Sequence, residues 1–173
     1  EHPGVLVQHG PILRVVFGPR DPSYISPILS AIQSDLCESG IDGVLSTHIQ
    51  RDSLEKFSYV SPIGAAGVYL HAVAGDFQKE GPARELFKSM IREISALAAA
   101  MGYPFEKDYV KINLEILSNL SADATTSMQR DIMEGKPSEL DGLVMEPLRL
   151  AKKYSVSMPC YEEVAKVLCP LEF

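Results

Sequence analysis

The sequence lacks closely spaced cysteines, an excess of basic residues and any apolar run long enough to span a bilayer. Its three cysteines are far apart, at Cys37, Cys160 and Cys169, which favours free thiols in a reducing cytoplasm over a disulfide framework or a zinc site. The formal net charge of −7 argues against nucleic acid as the main partner, because phosphate binding needs a basic footprint. Apolar runs such as residues 94–101 fall short of the roughly 20 residues that a membrane helix needs. We therefore expect a soluble cytoplasmic protein with neither a membrane nor a nucleic acid as its partner.

Two kinds of binding motif are also missing. A Rossmann domain binds the pyrophosphate of a dinucleotide through Gly-x-Gly-x-x-Gly at a strand-to-helix turn, and none of the twelve glycines forms this pattern. No metal is predicted, because the four histidines have no ligand spacing: His2, His9, His48 and His71. The chain begins with Glu1 rather than methionine, which indicates a piece of a longer protein.

The sequence does contain enough apolar material for a folded core, since 46% of its 173 residues are hydrophobic. Residues 1–48 alternate between element types. The predicted elements there are strands at Val5–Val7 and Ile12–Phe17, which would form a hairpin or meander, a helix from an N-cap at Asp21 to Gly40, and a strand over residues 43–47. So small a sheet is marginal alone, and the region is predicted to be the edge of a larger domain.

From His48 onward the pattern is helical, with apolar residues recurring three and four positions apart. The predicted helices cover residues 52–70, 82–101, 105–120, 126–133, 139–154 and 161–168. The first helix should be interrupted near Pro62, Gly64 and Gly67, where a kink or the close approach of another segment is expected. Amphipathic helices with short connections predict a mainly helical domain.

The polar stretch Thr126–Asp141 stands out between two apolar segments. A glycine and a proline break it, and Ser138 with Asp141 has the spacing of a helix capping box. Ser127 lies in the helix that opens the stretch. Glu139 is predicted in the first turn of the next helix, where the helix dipole favours its carboxylate. From these residues alone, a capped surface helix is a commoner interpretation than a binding site.

This stretch resembles the C-terminal domain of the ketopantoate reductases (2-dehydropantoate 2-reductases), whose pattern is Ser-Met-x-x-Asp-(Ile/Val)-x-x-Gly-(Arg/Lys)-(Pro/His)-(Thr/Ser)-Glu-(Ile/Leu)-Asp. The similarity continues to Pro159 through Lys152-Lys153-Tyr154, where the family has Lys-Tyr-Gly-(Ile/Val)-x-x-Pro. It implies a mainly α fold: a helical C-terminal domain of the 6-phosphogluconate dehydrogenase-like type, preceded by a small α/β remnant of a Rossmann domain. It also implies that Ser127 hydrogen-bonds a keto acid and that Glu139 contacts both substrate and cofactor.

Lys56 is the candidate catalytic residue. A ketone that accepts hydride builds negative charge on oxygen, and a lysine can both stabilise this charge and donate a proton. A single lysine on a helix is more often a solvated surface charge, but Leu54-Glu55-Lys56-Phe57 resembles the family's Leu-Trp-x-Lys-(Leu/Phe), in which the lysine is the proton donor. The family's asparagines four and eight residues later are replaced by Val60 and Gly64. Ser58 or Ser61 could take over their task, and Ser61 is the predicted substrate-binding residue.

The resemblance divides the chain into residues 1–48, the tail of a nucleotide-binding Rossmann domain, and residues 49–173, a substrate-binding and dimerisation domain. The implied function is that of a fragment, inactive alone, of an NADPH-dependent oxidoreductase that reduces 2-dehydropantoate or a related 2-keto acid to the 2-hydroxy acid. NADPH would be bound by an N-terminal domain that precedes this region, and a homodimer is expected. Two alternatives stay open: a non-catalytic helical binding or oligomerisation module, and a reductase of the same superfamily that acts on another keto acid or an imine.

Overall fold

A computed structural model of the chain describes residues 2–5, 7, 13–21, 23–24 and 26–170. The chain forms two compact units, Glu1–Asp52 and Ser53–Phe173. The first contains a small parallel sheet with one helix, and the second is helical. The protein is therefore mainly α, as the sequence predicted.

The first unit is a β-α-β arrangement. Strand β1 (Arg14–Phe17) and strand β2 (Asp42–Leu45) are parallel, in a register that pairs Arg14 with Asp42, and helix α1 (Pro27–Glu38) connects them. Parallel strands need such a crossover because a tight turn can only join antiparallel ones.

Two predictions for this unit were wrong. Val5 and Val7 are not in a strand, while Leu6 and residues 8–12 lie outside the described residues. Helix α1 begins at the N-cap Ser26 and not at Asp21, because the Ser26 side chain accepts from the Ile28 amide and a proline follows it directly. The Asp21 carboxylate instead accepts from the amide and hydroxyl of Ser23 in a local turn.

The second unit is built from helices α2 (Ile49–Leu70), α3 (Ala74–Gln78), α4 (Pro82–Ala100), α5 (Tyr109–Ser118), α6 (Ser127–Met133), α7 (Glu146–Tyr154) and α8 (Pro159–Leu168). A π-helical turn, Asp141–Met145, precedes α7. Helix α2 continues through Pro62, so the predicted interruption was wrong. The alternative expectation, a close approach of another segment at Gly64 and Gly67, is confirmed.

The core of this unit centres on α4. The predicted apolar stripe of that helix is confirmed, since Met90, Ile91, Ile94 and Leu97 are all buried. Burying each such side chain contributes roughly 1.5–3 kcal/mol. Phe87, also on α4, packs edge-on against the rings of Tyr59 and Phe77, with ring centroids 6.0 Å apart in both pairs.

The helix predicted over residues 139–154, with an interruption at Pro147, is present as the π turn followed by α7. Pro147 has no N–H to donate to the carbonyl of Leu143, so one α-helical hydrogen bond is missing at this point. The backbone widens instead, and the Glu146 amide donates to the carbonyl of Asp141. The predicted capping box of Ser138 and Asp141 was also wrong, because the turn begins at Leu140 without a side-chain cap. The Asp141 carboxylate accepts two hydrogen bonds from Arg149, at 2.9 and 2.8 Å.

Within the ranges that the structure describes, no helix combines the length and the apolar character that crossing a membrane requires.

Candidate functional site

Lys56 lies on the exposed face of α2. One turn later on the same face, Val60 is 37% exposed. From Ser61 to Gly67 every residue of the helix is buried. The Lys56 ammonium has no hydrogen bond or ion pair to another described residue, so its charge is available to a ligand.

Helix α6 covers α2 at two glycines. A Cβ atom at Gly64 would lie 3.1 Å from Cε of Met128, and one at Gly67 would lie 2.8 Å from Cδ of Gln129. Leu143 of the π turn approaches the same place, since its Cδ1 is 3.8 Å from the Cβ position of Gly64. Helix α6 and the π turn therefore both contact α2 at Gly64, which lies about 12 Å along the helix axis from Lys56.

The start of α6 is fixed by a capping box that the sequence analysis did not identify. The Thr126 hydroxyl accepts from the Gln129 amide at 3.3 Å, and Oε1 of Gln129 accepts from the Thr126 amide at 3.0 Å. Nε2 of the Gln129 side chain donates to the backbone carbonyl of Ala72 at 2.8 Å. Ser127, the first residue of the helix, is exposed, and its hydroxyl has no partner within the described chain. A rigid cap thus presents an available hydroxyl.

Glu139 lies in a bend just before Leu140, and not in the first turn of a regular helix as predicted. Its side chain is exposed and makes no ion pair with any residue that the structure describes. Its carbonyl accepts from the Leu143 amide at 2.9 Å. The nearby Arg149 is already bound to Asp141 and Glu146, and its hydrogen bond holds the pKa of the Asp141 carboxyl below the ordinary value. The Glu139 carboxylate is left available as an acceptor.

Ser61 is in a different environment from the other three predicted site residues. Its side chain is fully buried, and its hydroxyl is bonded to the carbonyl of Leu143 at 2.6 Å and to the hydroxyl of Tyr161 at 2.5 Å. A ligand has no access to a hydroxyl enclosed in this way. The structure therefore gives Ser61 a packing role, and we assign it no substrate contact.

Three buried polar residues around the site were missed by the sequence analysis: Asn113, Gln129 and Tyr161. Asn113 donates to the carbonyl and the hydroxyl of Ser58, at 3.0 and 3.1 Å. No local pattern distinguishes Asn113 and Tyr161 from exposed residues of the same types. Only Thr126 and Gln129 carried a readable signal, the Thr-x-x-Gln spacing of a capping box.

A cavity of about 220 Å³ lies beside the start of α6. Its walls come from α2, α3, α5 and α6 and include Tyr59, Ile63, Phe77, Leu120 and Gln129. Most residues of the wall are apolar, and the polar groups of Thr126 and Gln129 are bonded to each other.

The described residues offer neither a metal site nor a dinucleotide site. No group of three or more His, Cys, Asp or Glu side chains in the described ranges could hold a metal ion. The sequence between β1 and α1 contains a single glycine, and the chain has no Gly-x-Gly-x-x-Gly. The residues present therefore do not fit the pyrophosphate of NADPH, which needs several close backbone amides.

The family described as "Ketopantoate reductase PanE/ApbA C terminal" matches residues 48–172. The chain is 26% identical over 158 residues to the 2-dehydropantoate 2-reductase of Aquifex aeolicus, covering 89% of this chain and 51% of that protein. It is 24% identical over 135 residues to the enzyme of the same name from Nostoc, covering 78% of this chain and 42% of the relative. The chain thus spans about half the length of the curated relatives it matches.

Solved structures show the same fold. The crystal structure of 2-dehydropantoate 2-reductase from Methylococcus capsulatus has a TM-score of 0.82 at 24% identity, covering 95% of this chain and 52% of the other. That from Geobacter metallireducens has a TM-score of 0.80 at 22% identity, covering 90% and 52%. Since the family match covers most of the chain and includes Lys56, Ser127 and Glu139, the chain belongs to the ketopantoate reductase family, of which it contains the C-terminal domain.

Proposed function

We propose that this chain is the substrate-binding part of an NADPH-dependent oxidoreductase that reduces 2-dehydropantoate, or a related 2-keto acid, to the 2-hydroxy acid. One observation carries the proposal. Lys56, Ser127 and Glu139 are exposed and unpaired among the described residues, and the segments that carry Ser127 and Glu139 pack on α2, the helix that carries Lys56. A cation, a hydroxyl and a carboxylate on segments that pack together are the groups needed to bind and protonate a keto acid.

Lys56 acts as the general acid in this proposal. When hydride adds to the carbonyl carbon, the electron pair of the C=O double bond moves to oxygen, which takes a proton from the lysine ammonium. The product is a hydroxyl group, and the neutral lysine recovers its proton from solvent. Its positive charge also stabilises the developing alkoxide, and each of these two effects contributes about 10²-fold or more to such reactions.

Ser127 and Glu139 bind the two polar ends of the substrate. The Ser127 hydroxyl donates a hydrogen bond to the keto acid, and the capping box holds its backbone in place. A carboxylate repels the acid group of the substrate, so Glu139 accepts hydrogen bonds from hydroxyl groups of the substrate or the cofactor. Val60 cannot form a hydrogen bond, so the substrate groups next to it are apolar, and the choice among 2-keto acids stays open.

NADPH belongs to another part of the protein in this proposal. Its role is to supply the hydride, and we place its binding site in a Rossmann domain preceding the region described here. Residues 1–48 would be the last part of that domain, and residues 49–173 the substrate-binding and dimerisation domain. The parallel β-α-β unit supports this division, because repeated units of that kind build Rossmann sheets.

A homodimer is also proposed. A ketopantoate reductase from Staphylococcus aureus with the same fold is described as dimeric, with a TM-score of 0.75 at 19% identity. Sedimentation of the full-length protein tests the dimer: we expect one species of twice the chain mass, and a monomer at all concentrations would contradict it.

The reaction is tested by assaying NADPH oxidation by the full-length protein with small, branched and aromatic 2-keto acids, 2-dehydropantoate among them. We expect one equivalent of 2-hydroxy acid for each NADPH oxidised. If NADPH were oxidised only with a different keto acid or with an imine, that compound and not 2-dehydropantoate would be the substrate. No oxidation with any of them would favour the non-catalytic module.

A further inference from the structure

Two buried hydroxyl groups form a chain between α8 and the π turn. Ser61 and Tyr161 are both fully buried. The carbonyl of Leu143 can only accept, so the single proton of the Ser61 hydroxyl is donated there, at 2.6 Å. The Tyr161 hydroxyl must therefore donate to Ser61, at 2.5 Å. Each proton in the chain has one defined acceptor.

The π turn makes this arrangement available. In an α-helix the carbonyl of Leu143 would accept from the amide of residue 147, but Pro147 has none. The Ser61 hydroxyl from α2 takes that place. A carbonyl that lacks its helical donor and accepts from a distant side chain ties the turn to that side chain. Single π turns are frequent at functional sites.

Leu143 connects the hydroxyl chain to Glu139. While its carbonyl accepts from Ser61, its amide donates to the carbonyl of Glu139 at 2.9 Å. Ser61 follows Lys56 by five residues on the same helix. The path from Lys56 to the backbone of Glu139 thus consists of one stretch of helix and two hydrogen bonds.

We propose that Ser61 and Tyr161 are positioning residues, which hold the π turn in register on α2 and thereby fix the place of Glu139 relative to Lys56. The inference rests on the proposed function, because it concerns the same site. It gives Ser61 a role through Leu143 and not through direct contact with substrate.

The chain contains matched controls for both residues. Ser58 is also a fully buried serine of α2, but it is bonded to Asn113 of α5 and not to the π turn. Tyr69, like Tyr161, links α2 and α8, but it does so at the surface through Glu163. Ser58→Ala and Tyr69→Phe therefore remove comparable groups without touching Leu143.

The experiment compares Ser61→Ala and Tyr161→Phe with these controls in the full-length protein. Hydrogen–deuterium exchange of residues 139–146 should rise most in Ser61→Ala, less in Tyr161→Phe, and not in Ser58→Ala or Tyr69→Phe. KM for 2-dehydropantoate should rise about tenfold in Ser61→Ala, with kcat changed less, because the displaced Glu139 binds the substrate, takes no part in the proton transfer and loses about one hydrogen bond. Tyr161→Phe should change KM in the same direction but less, because it removes the bond to Ser61 while the bond from Ser61 to Leu143 is retained.

Equal changes in exchange and KM for Ser61→Ala and Ser58→Ala would overturn the positioning role. Unchanged exchange over residues 139–146 in Ser61→Ala would overturn it as well. If none of the tested keto acids supported NADPH oxidation by the wild-type protein, the proposed function would fail. The exchange measurement would still decide whether Ser61 holds the turn.

Discussion

Gly67 of α2 lies directly beneath the side chain of Gln129, so that a Cβ atom at this glycine would be 2.8 Å from both Cδ and Oε1 of Gln129. The Gln129 side chain cannot move aside without loss, because it is bonded to Ala72 on one side and Thr126 on the other. The glycine thereby allows α6, and with it Ser127, to lie close to α2.

Gly67→Ala should lower the free energy of unfolding by about 1–3 kcal/mol, because an added methyl group in a packed site forces its neighbours apart. Chemical denaturation measures this. Gly142→Ala is the matched control, since nothing lies within 4 Å of a Cβ atom there. Alanine is the better helix former, so the control should be neutral or stabilised by up to about 1 kcal/mol. Equal destabilisation by both substitutions would contradict the close approach.

Two adjacent residues at the start of α6 should behave differently. Thr126→Ala removes the N-cap and should cost about 0.5–2 kcal/mol of stability. Ser127→Ala removes a hydroxyl with no partner in the described chain, so stability should stay within about 0.5 kcal/mol. The KM for the keto acid should rise in Ser127→Ala, by roughly tenfold for one hydrogen bond. An unchanged KM would remove Ser127 from the site.

The buried Tyr161 should make stability depend on alkaline pH. Burial raises the pKa of Tyr161 above the ordinary value of about 10. The unfolded chain then loses this proton first, so the contribution is fully present below about pH 10 and declines above it, by about 1.4 kcal/mol per pH unit. Comparing urea denaturation of wild type and Tyr161→Phe between pH 9 and 11.5 tests this. The wild type should lose stability faster above pH 10, and parallel curves would contradict the burial of this hydroxyl.

The sequence predicted the elements whose evidence is local. The stripe of α4 is readable because a buried helical face repeats every three to four residues. Lys56, Ser127 and Glu139 were proposed as site residues from family motifs, since on physical grounds each is an ordinary exposed polar residue.

Features that depend on contacts between residues far apart in the chain left no local signal in the sequence. The partner of Ser61 is Tyr161, 100 residues away, and a buried serine looks like an exposed one in the sequence. Pro147 signalled an irregularity in the helix, but not that the backbone would widen into a π turn. Helix α3 is only Ala74–Gln78, too short to show a period.

Lys56→Ala in the full-length protein tests the central claim most directly. Lys111→Ala is the control, as another exposed lysine in a helix of this domain. The account predicts that Lys56→Ala lowers kcat for the keto acid by about 10²-fold or more, that NADPH binding measured by fluorescence titration is retained, and that Lys111→Ala behaves as wild type. A kcat for Lys56→Ala equal to that of the wild type would contradict the assignment of Lys56 as the proton donor.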